Sequence, residues 1–149
     1  GNAGVVNVYR QSGIMWAGLI LLLDMGRAIG VCLLAITFLP TNHIAWVGFG
    51  LILGNSYPCV HGFQGGKGVA NYLGFCVMVT PITVLIACIS WCIAYSLVKI
   101  PFLASFVMIL ILAWGSLNAN QYHFVPSLGI LLTVLLIVYK HKTNIQGYI

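Results

Sequence analysis

The sequence predicts an all-α fold, a polytopic integral membrane helical bundle of about six spans. Three observations predict it. Of the 149 residues, 61% are hydrophobic and only 5% are charged, whereas a water-soluble domain carries about a quarter charged residues. That little polar surface cannot cover a globule facing water, and the mean hydropathy of +1.06 agrees. The apolar residues also fall into runs separated by polar or proline-marked breaks, without the period-two alternation of strands, and an open sheet would leave its edges unpaired in lipid.

Each element follows in chain order. Residues 1–13, "GNAGVVNVYRQSG", are polar and glycine-containing and lie outside the bilayer. The chain opens on Gly rather than Met and shows no signal-peptide pattern, so a preceding segment is expected. The first span covers 14–39 and contains the polar break "DMGR"; Pro40 to His43 form a turn. The second and third spans, 43–58 and 68–80, grow from the short apolar runs 44–54 and 69–79. Neither run reaches the roughly 20 residues of a perpendicular crossing without its flanks. Pro81, Pro101 and Pro126 mark the starts of spans 81–99, 101–117 and 125–140, since proline's missing amide costs least in the first helical turn. A polar segment, "KHKTNIQGYI", closes the chain. No repeat or low-complexity stretch appears, and the whole reads as one transmembrane domain, 1–149.

Counting crossings places the first polar segment, the loop 55–68 and the final segment on one face. Arg10, Lys67, Lys99, Lys140 and Lys142 fall on that face and only Arg27 does not. The positive-inside bias makes it cytoplasmic, with His43 and His123 in turns on the opposite face. The formal charge of +5 comes from six basic residues and one acid. The cations are too scattered for nucleic acid, and no recognition helix is present. Anionic lipid head groups or a small anionic substrate are the partners expected. Cys32, Cys59, Cys76, Cys88 and Cys92 form no CxxC pair, so they read as packing residues rather than zinc ligands or redox thiols.

Three polar segments carry candidate chemistry. In "GFQGGKG", residues 62–68, the amides of Gly65, Gly66 and Gly68 can form a concave nest for an anion, and Lys67 adds a full charge. It is not a Walker A loop: His61 stands where glycine is required, and Gly68 where Ser or Thr would hold magnesium. A flexible interfacial loop with one anchoring lysine is the plain alternative, and His61 reads as non-catalytic. In the first segment Gly1, Asn2, Gly4, Asn7 and Arg10 combine amide donors, close backbone approach and a guanidinium fork suited to phosphate. A solvated tail is the alternative there. In the last segment His141 and Asn144 share a face if helical, or belong to an interfacial Lys/His run. Asp24 and Arg27, three apart inside the first span, read as a structural pair.

The absences constrain the chemistry further. Asp24 is the only carboxylate. Paired-carboxylate acid–base chemistry and a hard-metal cage are excluded, and a Ser-His-Asp triad would need a carboxylate placed mid-membrane. A reaction here must use an activated substrate and stabilise negative charge with cations and amides.

Taken together, the three segments resemble the bacterial acyl-phosphate:glycerol-3-phosphate acyltransferases of the PlsY type. The first family motif, approximately GSGNxGATNVxR, is matched by "GNAGVVNVYR" at Gly1, Asn2, Gly4, Asn7, Val8 and Arg10. The second, approximately GHxxPxFxxFxGGKGVAT, is matched by "GNSYPCVHGFQGGKGVAN" at Gly54, Pro58, Phe63, Gly65, Gly66, Lys67, Gly68, Val69 and Ala70. The third, approximately RHxxNIxRL, is matched at His141, Asn144 and Ile145, and the family's Asp-x-x-Lys-Gly by Asp24 and Arg27. The departures are Val5 and Val6 for Ala-Thr, Asn55 for the second-motif His, Lys140 for the first Arg of the third motif and Gly147 for its second.

The resemblance covers essentially the whole chain. It implies a seven-span fold whose first span precedes residue 1, and a cytoplasmic-membrane enzyme that faces the cytoplasm and acts as a monomer. It implies transfer of a fatty acyl group from acyl phosphate to glycerol 3-phosphate, giving lysophosphatidic acid, with no cofactor and no nucleic acid partner. Lys67, His141 and Asn144 would then be catalytic. Asn2, Gly4, Asn7, Arg10, Asn55, Gly65, Gly66 and Gly68 would bind substrate. Two alternatives stay open from the residues: a homologue that binds phosphorylated lipid without turnover, which Asn55 and Gly147 motivate, and a small membrane transporter.

Overall fold

The structure is a computed structural model that describes residues 4–148, with the backbone alone for His61. Its helices are α1 (Val5–Ser12), α2 (Ile14–Phe38), α3 (Thr41–Ser56), α4 (Val69–Val79), α5 (Pro81–Val98), α6 (Pro101–Ala119), α7 (Phe124–Lys140) and α8 (Lys142–Gln146). Helices α2 to α7 match the six expected spans to within two residues at every end. Three of them, α2, α5 and α6, are long and apolar enough to cross a membrane alone; α4 and α7 are apolar but shorter. The first and last polar segments differ from expectation, because each contains a short helix, α1 and α8. Gly13 ends α1 at φ +84°, its N–H donating to Tyr9 O. Between α7 and α8, the carbonyl of His141 accepts from the amides of Asn144 and Ile145.

Prolines set the sharp breaks. Pro81 and Pro101 open α5 and α6, and the residue before a proline is pushed out of the helical region. Thr80 and Ile100 have non-helical dihedrals accordingly.

Lipid tails are as apolar as leucine, so close backbone approach drives helix association in a bilayer. The three most extensively packed helix pairs each place a glycine at the contact. On α4, a Cβ at Gly74 would lie 2.7 Å from Met25 Cα of α2. On α6, one at Gly115 would lie 2.4 Å from Thr83 Cγ2 of α5, and on α7, Gly129 faces the Ala45 backbone of α3 at 3.3 Å. The buried core lies among α3, α4, α6 and α7, where Ile52, Cys76, Leu112 and Ile137 are almost wholly enclosed. Helix α5 instead leaves Ile82, Leu85, Ile89, Ile93 and Leu97 exposed, a face suited to lipid.

The relative depth of α4 positions the site. At 1.5 Å per residue α2 is about 37 Å long and α4 only about 16 Å. Gly74 sits against Met25, so α4 starts roughly 10 Å further along the bundle than α2 does. The loop between α3 and α4 therefore dips into the bundle instead of lying across its end.

Candidate anion and lipid site

The loop that enters this depression is shaped by its glycines. Gly65 packs so tightly that a Cβ would lie 2.0 Å from Asn55 O and 2.5 Å from Pro58 Cδ. Its N–H donates to Ser56 O at 3.3 Å. Gly68 takes φ +85° as the residue before α4, and a Cβ there would lie 2.6 Å from Ile52 Cγ2. Positive φ and lack of space both demand glycine. The turn brings the first amides of α4 beside Lys67 at the head of the helix, where unpaired N–H groups and the helix dipole favour an anion.

These groups line a cavity of about 620 Å³. Its polar half gathers residues far apart in sequence: Gly4, Asn7 and Arg10 of α1, Gly66, Lys67 and Gly68 of the loop, and His141 and Asn144 beside α8. Asn55 and Asp24 complete it. Lys67 Nζ donates to Asn144 Oδ1, tying the loop to α8. Gly65 is not in the wall, since its amide is used inside the loop. Asn2, also expected at the site, lies outside the described residues.

Electrostatics favours a bound anion. Burial, then the nearby Arg10 charge, pulls the Lys67 ammonium below the usual lysine range. The sole acid, Asp24, is paired with Arg27 at 3.1 Å, so no side-chain carboxylate remains for Lys67 and Arg10. His141 is almost fully buried. Its Nδ1 lies 2.8 Å from Ile137 O; a carbonyl only accepts, so Nδ1 carries the proton. Burial lowers the His141 pKa, the bond to Ile137 raises it in part, and the Lys67 charge lowers it again. The ring is thus neutral at pH 7, and Nε2 is left as an acceptor. The adjacent Lys140 donates to Ser56 O at 2.7 Å and lies 4.3 Å from the Tyr57 ring centroid, which fastens the end of α7 to the start of the loop.

Arg27 departs from expectation. It pairs with Asp24 but does not stand apart from the other cations. From mid-α2 its Nη2 also donates to Asn55 Oδ1 at 2.7 Å and Asn71 Oδ1 at 2.8 Å. Those residues flank the loop, so Arg27 belongs to the same half of the molecule as Lys67.

The other half of the cavity is apolar and runs along α5 and α6. Leu21, Leu73, Cys88, Trp91, Phe102 and Met108 line it. Trp91 Nε1 donates to Ser105 Oγ at 3.2 Å, which fixes the indole in the wall. Asn71 and Lys99 also line the cavity, and sequence reasoning did not assign either to it. A lone amide at the start of an apolar run marked Asn71; Lys99 carried only its charge. Cys32 and Cys76 pack as expected, but Cys59 and Cys92 are exposed and Cys88 is half-buried. Among the described residues no three His, Cys, Asp or Glu come together as metal ligands.

The geometry can be set beside known proteins. The family model described as glycerol-3-phosphate acyltransferase matches residues 1–149. A glycerol-3-phosphate acyltransferase of Methylobacillus flagellatus is 31% identical over 98% of this chain and 74% of its own length. One from Pseudomonas paraeruginosa is 34% identical, covering 98% and 76%. The crystal structure of PlsY (YgiH), an integral membrane glycerol 3-phosphate acyltransferase, superposes in its glycerol 3-phosphate form with a TM-score of 0.87. It is 28% identical, over 98% of this chain and 74% of that one. Its lysophosphatidic acid form gives a TM-score of 0.88 at 29% identity, over 98% and 75%.

Proposed function

The chain belongs to the glycerol-3-phosphate acyltransferase family, and from that premise we propose that it transfers a fatty acyl group from acyl phosphate to the sn-1 hydroxyl of glycerol 3-phosphate. The observation that carries this reading is one cavity that joins Lys67 and Arg10, with its one carboxylate, Asp24, already paired with Arg27, to an apolar trough. It suits two phosphorylated substrates, one of which carries a fatty chain.

Lys67 with the amides of Gly66, Gly68 and the first turn of α4 holds the phosphate of the donor. Arg10 and Asn7 hold glycerol 3-phosphate, with His141 and Asn144 closing the pocket. The acyl chain lies along Leu73, Cys88, Trp91 and Met108. Acyl phosphate is a mixed anhydride, so no enzyme nucleophile is needed. The hydroxyl oxygen attacks the acyl carbon, the bond from that carbon to the phosphate oxygen breaks, and inorganic phosphate leaves. A phosphate oxygen accepts the hydroxyl proton, and neutral His141 offers Nε2 as acceptor to the other hydroxyl of glycerol 3-phosphate, which orients the molecule. Charge that builds on the carbonyl and leaving oxygens is met by Lys67 and the α4 amides, an arrangement worth about 10²–10³ in rate for each donor. In this reading the protein works as a monomer, as the family resemblance implies. It sits in the bacterial cytoplasmic membrane with its cavity toward the cytoplasm, the face on which the basic residues gather.

The test supplies palmitoyl phosphate and glycerol 3-phosphate to the purified protein in lipid and follows lysophosphatidic acid. Formation of product, reduced about 10²–10³-fold by Lys67→Ala, is expected. In sealed membrane vesicles only the inside-out population should consume glycerol 3-phosphate added outside. Folded protein that binds glycerol 3-phosphate but forms no product would leave a binding homologue without turnover.

A further inference from the structure

Arg27, Asn55 and Asn71 form a node that the proposed chemistry does not use. All three contacts of Arg27 pass through one nitrogen: Nη2 lies 3.1 Å from Asp24 Oδ1, 2.7 Å from Asn55 Oδ1 and 2.8 Å from Asn71 Oδ1. Asn55 is in the last turn of α3 and Asn71 in the first turn of α4. These residues bracket the whole loop that carries Lys67, and Arg27 anchors both ends to the middle of α2. Asn71 is 1% exposed, so its side-chain oxygen has no access to water as a substitute partner. A buried acceptor left unmatched is costly, which holds the loop ends to the guanidinium. Gly65 adds a steric stop, because its Cα packs directly on Asn55 O.

We propose that Arg27 is a positioning residue that acts through Asn55 and Asn71. It sets the depth of the Lys67 turn, and Asn55 serves the reaction through this clamp rather than as a substrate ligand. Asn55, a departure from the family pattern, and Arg27 then form one working contact. An –NH₂ group has two hydrogens for three acceptors, so the clamp relies on a cationic nitrogen at one point and not on the flat guanidinium fork. Lysine at this position should therefore preserve most of it.

The inference rests on the acyltransferase reading, and the test separates the two. Wild-type protein in lipid is first assayed with palmitoyl phosphate and glycerol 3-phosphate; absence of product defeats the reading itself. Given activity, Asn55→Leu leaves the Asp24–Arg27 pair intact. It should raise the KM for palmitoyl phosphate about tenfold and leave that for glycerol 3-phosphate within about twofold. Arg27→Lys should stay close to wild type. Asp24→Asn with Arg27→Met removes the clamp without stranding a charge, and adding Asn55→Leu to that pair should cost nothing more. Asn55→Leu keeping its full effect there would overturn the proposal and make Asn55 a direct substrate contact. An equal rise in both KM values would overturn it as well. Should the Asp24/Arg27 pair variant not fold, Asn71→Leu takes its place. In that case the same selective rise, not additive with Asn55→Leu, is expected, and additivity defeats the clamp.

Discussion

At the scale of single residues the site gathers positive charge at Lys67 and Arg10 while its one carboxylate, Asp24, is paired with Arg27. Lys67, held below the ordinary lysine range by burial and by Arg10, loses its charge at a lower pH than a free lysine. Binding of a phosphate anion favours its protonated form, so the KM for palmitoyl phosphate should climb at a pH below the ordinary lysine value. Lys67→Arg, which stays charged, should remove that alkaline limb. On the acid side, burial holds His141 neutral to lower pH than a free histidine, so its acceptor is lost only below the ordinary histidine range. A pH–rate profile of wild type against His141→Asn separates this limb from titration of the substrate phosphate. That Lys67, Arg10, Asn7, His141 and Asn144 gather at one cavity was legible because each sits in a polar segment of an otherwise apolar chain. The partners of Arg27 were not. Spacing along one helix shows Asp24 three residues away, but Asn55 and Asn71 lie 28 and 44 residues off, and only packing brings them together. The spare amide of Gly65 was misjudged for the same reason: a glycine pattern does not say which N–H points inward.

At the scale of elements, helices α2 to α7 were readable from apolar runs and prolines because those signals are local. The short helices α1 and α8 were not, since helices of eight and five residues are too short to be stable by propensity alone. They form where the bundle receives them, and α1 packs along α2. The glycines at helix contacts were equally silent, because a glycine at a seam and one facing lipid look alike in a sequence. Gly74→Leu must displace the Met25 backbone and should cost about 1–3 kcal/mol. Gly50→Ala, which would meet nothing within 4 Å, should be neutral or slightly stabilising. Thermal unfolding in one detergent, read by retained monodispersity, checks both, and equal midpoints would contradict the seam.

At the scale of the whole molecule, the bundle holds a polar centre open to one end and an apolar trough along α5 and α6. The order of crossings made the common face of the polar segments visible from the sequence. The depth of the centre was not visible, because it depends on where the short α4 is hung along α2. That depth has a kinetic consequence. With the loop sunk roughly 10 Å along the bundle, the proposed reaction has its fatty donor reach the site in the plane of the leaflet, while glycerol 3-phosphate descends from bulk water. The two substrates are then counted on different scales, one as a mole fraction of a two-dimensional film and the other as a concentration in volume. Adding inert lipid to proteoliposomes at constant total palmitoyl phosphate should slow the reaction in proportion to its dilution in the film, and leave the dependence on glycerol 3-phosphate unchanged. A rate that followed only the amount per millilitre would mean the donor arrives through water.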